Sequence, residues 1–380
     1  MKDRPASPPA PQTARPGGST AWPLALLCVA LILYLSLYPF TGWRDNGLSC
    51  TAYLLSPPPP YWTWFDVISN YIGYIPFGFL LALGMLRSQS PAWRRWAPLL
   101  ATLAGVAMSF TMETTQCWLP QRTSSNLDLA LNSAGALSGS LLAWLIEKLG
   151  VFGRWQRWAS QGLVPGYQGE LALLLVWPLA LLYPLPVPFG LGQILERLEK
   201  LLAAWLQDTP FLDWLPMRAI EFQPMLPEIE YAVMALGLLA VCLLACGILR
   251  GRLARLCAIL ALALAGLAAT GLALQLSLRA DVAWAWSWQP LQISMAAAIG
   301  LALCCLWFPP RLCAALALAA LLVQLYLLNE AAIPVYHEWM LSTAMRSGFR
   351  RFYGMAQWLG WCWPWLAVLL LARRTLKPPR

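Results

Sequence analysis

Charged residues are scarce in this chain. They make up 11% of its 380 residues, while hydrophobic residues make up 59%. A soluble domain usually carries about 25% charged residues. Apolar runs of about 18 residues or more recur along the whole length, and each is enough to cross a hydrocarbon core of about 30 Å as a helix. The composition excludes an ordinary soluble protein and predicts a membrane protein.

Sequence patterns typical of metal, cofactor or nucleic-acid sites are also absent. The chain has one histidine and ten cysteines, and no Cys/His spacing resembles a zinc site. No nucleotide-binding motif is present, so we expect neither a metal nor a cofactor. The net charge of +9 comes from basic residues at the edges of the apolar runs rather than on one helix face. This distribution indicates membrane topology and argues against a nucleic-acid partner.

What the sequence does contain is a series of ten apolar segments. They predict an all-α, polytopic helical membrane protein with about ten transmembrane helices. The predicted spans lie near Trp22–Phe40, Asp66–Leu86, Trp96–Trp118, Leu127–Leu149, Glu170–Phe189, Glu228–Leu249, Leu253–Leu276, Pro290–Phe308, Leu312–Leu328 and Met355–Ala372.

The spans suggest a division of the chain. Residues 1–20, rich in Pro, Ala, Gly and Ser, are expected to form a disordered cytoplasmic tail. Residues 21–150 would form a four-helix membrane domain, and residues 151–380 a second membrane domain of about six helices. In the second domain, near 194–206, leucines at helical spacing lie on the face opposite the charged residues. This pattern predicts an interfacial helix on the membrane surface.

The basic residues also predict an orientation. With a cytoplasmic N-terminus, most of the 26 Lys and Arg residues fall on the inner side, as the positive-inside rule requires. Both termini are then cytoplasmic, and we expect a multi-pass protein of the bacterial inner membrane. Cys50 and Cys117 fall on the outer side, where disulfides form, so they either pair or remain free. His337, beside Glu338 in an outer loop, is either a solvated histidine or a proton carrier.

Polar residues gather at the outer ends of spans two, three and four. Residues spaced three or four apart share a helix face, and the three spans bring these faces to the same side of the membrane. Ionisable residues in such positions indicate a functional site. The predicted ligand-binding residues are Asp66, Asn70, Glu113, Gln116, Arg122, Asp128 and Asn132, with Tyr74 on the same face as Asn70.

Structural roles for some of these residues stay open. Glu113 lies near the C-terminal end of its helix, where the helix dipole disfavours a carboxylate, and Arg122 is the nearest cation. The two form either a structural ion pair or part of a ligand site. Asp128 lies in the first turn of its helix, where the dipole favours an anion and Asn126 is a candidate cap. Gly135 and Gly139 form a GxxxG pattern, which predicts close helix packing.

The order and spacing of these residues resemble the signature of the VanZ-like family of bacterial membrane proteins. The resemblance covers about residues 22–150, and the earlier helix, with Asp66-x-x-x-Asn70 and Pro76-Phe77-Gly78, is similar as well. The family is named for an accessory protein linked to resistance to the glycopeptide teicoplanin, and the resemblance implies a phenotype in the cell envelope rather than a reaction. The string that carries it is Glu113-x-x-Gln116, Pro120-x-Arg122 and Asp128-x-x-x-Asn132-x-x-Gly135-x-x-x-Gly139.

Three functions fit these observations. The favoured hypothesis is a module that binds or handles a membrane lipid or a lipid-linked cell-wall intermediate at the outer leaflet, with Arg122 engaging phosphate or carboxylate. The second is a membrane-embedded enzyme in which Glu113 or Asp128 acts as general acid or base. The third is a proton-coupled transporter, although the two halves show no clear repeat. The ligand and the oligomeric state are not determined by the sequence.

Overall fold

The computed structural model is helical throughout its regular structure. The described residues are 21–57 except 39, 46 and 48, then 61–211 except 121, then 225–277, 288–331 and 350–376. The expected tail, at residues 1–20, lies outside these residues, and so do His337 and Glu338. Within the described ranges the helices are α1 (Ala21–Leu37), α2 (Trp64–Leu86), α3 (Pro91–Gln116), α4 (Asn126–Lys148), α5 (Val151–Gly162), α6 (Gln168–Ala180), α7 (Leu195–Leu206), α8 (Pro227–Ile248), α9 (Arg252–Ser277), α10 (Trp288–Cys304), α11 (Pro310–Glu330) and α12 (Arg350–Leu376).

The prediction of an all-α helical membrane protein is confirmed. Among the described residues six helices are long and apolar enough to cross a bilayer, which supports multiple spans but not the predicted number of about ten. α1 and α6 are apolar but shorter, while α3 and α12 are long but lie outside this set. The six segments are Asp66–Leu86, Asn126–Lys148, Pro227–Ile248, Arg252–Gln275, Trp288–Trp307 and Pro310–Glu330.

The chain divides into two compact units between Arg154 and Trp155, within α5. In unit 1, α2 packs against both α3 and α4. Gly135 and Gly139 of α4 lie directly on the backbone of α2, because a Cβ at either position would overlap the carbonyl oxygen of Tyr71 or Ile75. Small residues therefore allow α2 and α4 to meet at backbone contact distance.

Unit 2 is organised around α8, which contacts α6, α9, α10 and α11. Every residue of α8 from Gly237 to Ile248 is buried. An apolar helix surrounded by other helices on all sides needs no polar face. The core continues from α8 to Trp177 of α6, whose ring stacks on Phe189 with centroids 6.0 Å apart.

The fifth predicted span differs from the structure. We expected a helix from Glu170 to Phe189, but α6 ends at Ala180. Prolines at positions 184, 186 and 188 follow, and each lacks a backbone N–H and disfavours helical geometry in the residue before it. Residues 181–194 instead form a largely buried loop between α6 and α7.

Two amide side chains of α11 hold this loop. Gln324 Nε2 donates to the carbonyl of Phe189 at 2.8 Å, and Asn329 Oδ1 accepts from the backbone N–H groups of Ile194 and Leu195, each at 3.2 Å. Both side chains are buried. Because irregular backbone within a membrane protein must find internal partners, these two amides explain how the loop is tolerated.

Candidate functional site

The predicted site begins at the N-terminus of α2. Thr63 caps this helix, and the Asp66 carboxylate accepts the Thr63 hydroxyl at 2.7 Å while the Thr63 hydroxyl accepts the backbone N–H of Asp66 at 3.1 Å. This reciprocal capping box fixes the first turn. Asp66 stays exposed, so its carboxylate remains accessible at the end of the helix.

Glu113 lies much deeper, with 3% of its surface exposed. Its Oε2 accepts the backbone N–H of Ser125 at 2.9 Å, and its main-chain carbonyl accepts the Ser124 hydroxyl at 2.6 Å. Ser125 is the N-cap of α4. The carboxylate therefore sits against the N-terminal end of another helix, where a negative charge is favoured.

The cap of α4 is one residue earlier than expected. Ser125 Oγ accepts the backbone N–H groups of Leu127 and Asp128, at 3.1 and 3.3 Å. Asn126, the predicted cap, instead donates its side-chain amide to the carbonyl of Ser56 at 2.6 Å. Ser125 caps the helix because its single hydroxyl oxygen satisfies two backbone N–H groups of the first turn that have no intrahelical partner.

Asp128 connects the three helices electrostatically. Its carboxylate interacts electrostatically with Asp66 and Glu113, and the Asn70 side chain lies next to it. One turn deeper, Asn132 Nδ2 donates to Ser109 Oγ at 3.0 Å. The structure therefore gathers five of the predicted residues, Asp66, Asn70, Glu113, Asp128 and Asn132, along the contact between α2, α3 and α4. We call these five residues the acidic cluster.

Tyr74 and Ser109 complete the deep end of the acidic cluster. Tyr74 lies beside Ser109 and close to Glu113, and both Tyr74 and Ser109 are buried. Asn132 Oδ1 is buried and has no hydrogen-bond partner within the described ranges. An acceptor in that state retains the capacity to bind a donor.

Gln116 and Arg122 are placed elsewhere. Arg122 Nη2 donates to the carbonyls of Leu35 and Tyr38, both at 2.9 Å, and Gln116 Nε2 donates to the carbonyl of Ser36 at 3.0 Å. The last carbonyls of a helix have no intrahelical partner, so these side chains satisfy the C-terminal end of α1. In the described part of the chain no ion pair joins Arg122 to Glu113. The structural ion pair considered from the sequence is therefore absent.

The residues that form this arrangement match a known protein family. Residues 21–147 match the family described as VanZ/LLP1. These residues form a VanZ-like domain. The match agrees with the resemblance drawn from the residue spacing over about 22–150. Neither a curated protein nor a solved structure matches the chain.

A disulfide holds the C-terminal end of α3 in the VanZ-like domain. Cys50 and Cys117 are bonded, with their Cα atoms 5.3 Å apart, so of the two alternatives left open by the sequence the structure shows the paired one. Cys117 directly follows α3, and the next residue, Trp118, accepts the backbone N–H of Arg44 at 2.9 Å. The segment between α1 and α2 is thereby tied to the end of α3, next to the turn that carries Arg122.

The chemistry of the acidic cluster is that of an acceptor-rich site. It combines three carboxylates with two amides, and within the described residues no ion pair joins a carboxylate of the cluster to Lys or Arg. Ionised carboxylates only accept hydrogen bonds. Such a site favours a group that supplies donors or positive charge. Sequence reasoning missed Ser109 and Ser125, although Ser109 lies four residues before Glu113 on the same helix face.

Proposed function

We propose that the VanZ-like domain binds the polar head group of an envelope lipid or of a lipid-linked cell-wall intermediate at the outer leaflet. We further propose that this binding alters tolerance to glycopeptides such as teicoplanin. The observation that supports the proposal is the acidic cluster, in which Glu113 and Asp128 interact electrostatically at the contact of α2, α3 and α4. A second carboxylate near a buried one is unfavourable unless a donor or cation compensates it.

The arrangement favours recognition of donors on the ligand. Sugar hydroxyls, amide N–H groups and amines all donate to carboxylates and to amide oxygens. Arg122 was the expected partner for a phosphate, but its Nη2 is engaged with the carbonyls of Leu35 and Tyr38. The head group is therefore proposed to be held through its hydroxyl, amide or amine groups, with Asp66 at the exposed end of the acidic cluster and Asn70 and Asp128 next to it.

The topology is part of the proposal. About ten spans with both termini cytoplasmic, in a bacterial inner membrane, direct the acidic cluster to the outer side. The Cys50–Cys117 disulfide supports this orientation, since disulfides persist in oxidising compartments. A reporter fused after Arg380 is expected to be cytoplasmic, and a reporter inserted near Asp208 external. An external C-terminus would require one span to be removed from the scheme.

Acid-base catalysis on the same ligand is the second candidate. Glu113 is 3% exposed while Asp128 is half-buried, so the two carboxylates have different surroundings. A pair of carboxylates in unlike environments is the arrangement that divides acid and base roles. Conversion of a bound lipid into a new product by the purified protein would favour this alternative over binding alone.

Native mass spectrometry of lipids bound to the purified protein tests the binding function. Asp128→Asn keeps the size of the side chain and removes its charge. Glu147→Gln is the matched control, because Glu147 lies at the other end of the same helix and forms a half-buried ion pair with Arg87 at 3.5 Å. We expect Asp128→Asn to weaken binding of the co-purified lipid by about tenfold or more, as a lost charge-assisted contact implies.

The outcome can contradict the proposal directly. Equal lipid occupancy in wild type, Asp128→Asn and Glu147→Gln would exclude the acidic cluster as the site. Glycopeptide tolerance of cells that express each variant gives the second readout. It is expected to fall with Asp128→Asn and to stay at the wild-type level with Glu147→Gln, at equal protein abundance.

A further inference from the structure

Unit 2 contains a cavity that is distinct from the acidic cluster. It is a recess of about 350 Å³ that is partly open to solvent, and it lies where the loop after α6 leads into α7. The residues on which the following argument depends are Tyr183, Gly190, Gly192, Arg197, Gln357 and Trp361. We call it the Arg197 cavity.

One wall of the Arg197 cavity is irregular backbone. Phe189 and Gly192 both adopt left-handed conformations, with φ of 62° and 95°. At Gly192 a Cβ would overlap the side chains of Leu325 and Pro364, so only glycine fits there. A left-handed conformation at a bulky residue is strained and persists only where the surroundings enforce it. Buried irregular backbone in membrane proteins occurs where it packs into protein or lines a cavity, and here it does both.

Arg197 provides the charge of this cavity. Its guanidinium lies 5.1 Å from the centre of the Trp361 ring and interacts with the Tyr183 hydroxyl. Within the described ranges it forms no ion pair. Glu196 and Glu199 belong to the same helix, but neither lines the cavity. A guanidinium has five N–H donors, and its contact with an aromatic face is electrostatic rather than a hydrogen bond. N–H groups of Arg197 therefore remain able to donate to a ligand.

A second donor comes from α12. Gln357, Gly360 and Trp361 are spaced i, i+3, i+4 and therefore share one face of the helix. Gln357 Nε2 donates to the Tyr183 hydroxyl at 3.0 Å, and in the described part of the chain its other amide N–H has no protein partner. A planar guanidinium, an amide and a phenol are thus directed into one recess, and this donor set matches the oxygens of a phosphate.

The geometry points to a phosphate-binding site in the Arg197 cavity. The group it takes is an anionic phosphate, carried either by a membrane phospholipid or by a soluble phosphate ester. The lipid source is favoured by the surface next to Arg197. Helix α7 exposes Leu198, Leu201, Leu202 and Trp205, of which Trp205 is 88% exposed. A helix with such an apolar face lies in the membrane interface, at the depth of lipid head groups.

A binding titration of the full-length protein in detergent tests this site. The probes are a short-chain phosphatidylglycerol, glycerol 3-phosphate and a short-chain diacylglycerol, which separate the lipid, the soluble phosphate and the uncharged lipid. Arg197→Gln removes the charge. Arg252→Gln is the matched control, because Arg252 is an exposed arginine of the same unit outside the cavity. Wild type is expected to bind phosphatidylglycerol saturably, and Arg197→Gln to bind it at least about tenfold more weakly.

Each outcome decides the matter. Tight binding of glycerol 3-phosphate that is lost in Arg197→Gln would support the site with a soluble ligand. Diacylglycerol binding should be the same in all variants. Failure of both phosphate probes to bind, or equal binding to wild type and Arg197→Gln, would overturn the proposal. Gln357→Leu retains the cation, so a severalfold loss with this variant serves as the deciding result if Arg197→Gln does not fold.

Discussion

The Glu113 carboxylate accepts the backbone N–H of Ser125 at 2.9 Å, across the turn that joins α3 to α4. Ser125 is the N-cap of α4, so the carboxylate of one helix completes the start of the next. This relationship explains why a negative charge is stable near the C-terminal end of α3. The N-terminal dipole of α4 offsets the unfavourable dipole of α3. Arg122 is not needed for that purpose.

A double-mutant cycle on Glu113 and Arg122 should therefore show little coupling. Glu113→Gln keeps an acceptor for Ser125, while Arg122→Gln loses the two carbonyl contacts at α1, a loss of about 1–3 kcal/mol. The changes in the free energy of unfolding caused by the two substitutions should add within about 0.5 kcal/mol in the double variant, as expected for residues with no shared partner.

A true ion pair supplies the positive control for this cycle. Arg374 and Glu170 lie 2.6 Å apart and are mostly buried. Breaking such a pair on one side typically lowers the free energy of unfolding by about 3–5 kcal/mol, and removing both partners recovers part of that loss. Similar recovery in the Glu113→Gln, Arg122→Gln double variant would contradict the structure of the acidic cluster.

Helix packing in the VanZ-like domain should depend on Gly139 and not on Gly73. Gly139→Ala places a methyl group against the carbonyl oxygen of Ile75, which forces α2 and α4 apart and should lower stability by about 1–3 kcal/mol. Gly73→Ala meets nothing within 4 Å. It should raise stability by up to about 1 kcal/mol through helix propensity. Thermal unfolding of both variants checks the difference, and equal destabilisation would argue against the close α2–α4 contact.

The disulfide is expected to stabilise the same domain. Cys50 and Cys117 are 67 residues apart in sequence, and a crosslink of that length contributes about 4 kcal/mol in the chain-entropy description. Reductant should therefore lower the unfolding temperature of wild type and leave the Cys50→Ser, Cys117→Ser variant unchanged. Cys257→Ser, which alters an exposed free cysteine, is the control. A variant without the disulfide that still responds to reductant would point to another pair.

The loop at residues 181–194 should be sensitive to Gln324. Gln324→Leu removes the side-chain donor to the carbonyl of Phe189 and leaves it only the backbone N–H of Leu191, at 3.0 Å. The loss should destabilise the protein by about 1–2 kcal/mol, the upper range measured for such bonds in membranes. Gln292→Leu makes the same change at an exposed position of α10 and should be neutral. The comparison requires only unfolding curves in detergent. Equal effects would mean that the loop does not depend on this hydrogen bond.

Helix periodicity predicted part of the acidic cluster. Asp66 and Asn70 share a helix face, as do Asp128 and Asn132, and the order of the spans directs both faces to one end of the bundle. These relations depend on side chains alone. Arg122 could not be placed in the same way, because its partners are the carbonyls of Leu35 and Tyr38. A hydrogen bond to a main-chain carbonyl cannot be predicted from the spacing of side chains along the sequence.

Apolarity was also an incomplete guide to the spans. The segment from Glu170 to Phe189 is apolar throughout most of its length, and hydropathy does not distinguish a buried helix from a buried loop. The prolines after Ala180 carried that information. The family resemblance, by contrast, followed from ordered spacings, because Glu113, Asp128 and Asn132 lie at contacts between α3 and α4 while Gln116 and Arg122 contact the end of α1.

The contact between Gln324 and Phe189 also sets an order of events during synthesis. The two residues are separated by 135 positions, which corresponds to about 7–27 s of translation at ordinary rates. During that interval the carbonyl of Phe189 lacks its side-chain donor and has only the backbone N–H of Leu191 as a partner. Nascent chains that end before α11 should therefore keep the segment after α6 hydrated and open to protease, and protection should appear only when α11 has entered the membrane. Helix α11, which is synthesised late, therefore completes the packing of the earlier loop at residues 181–194.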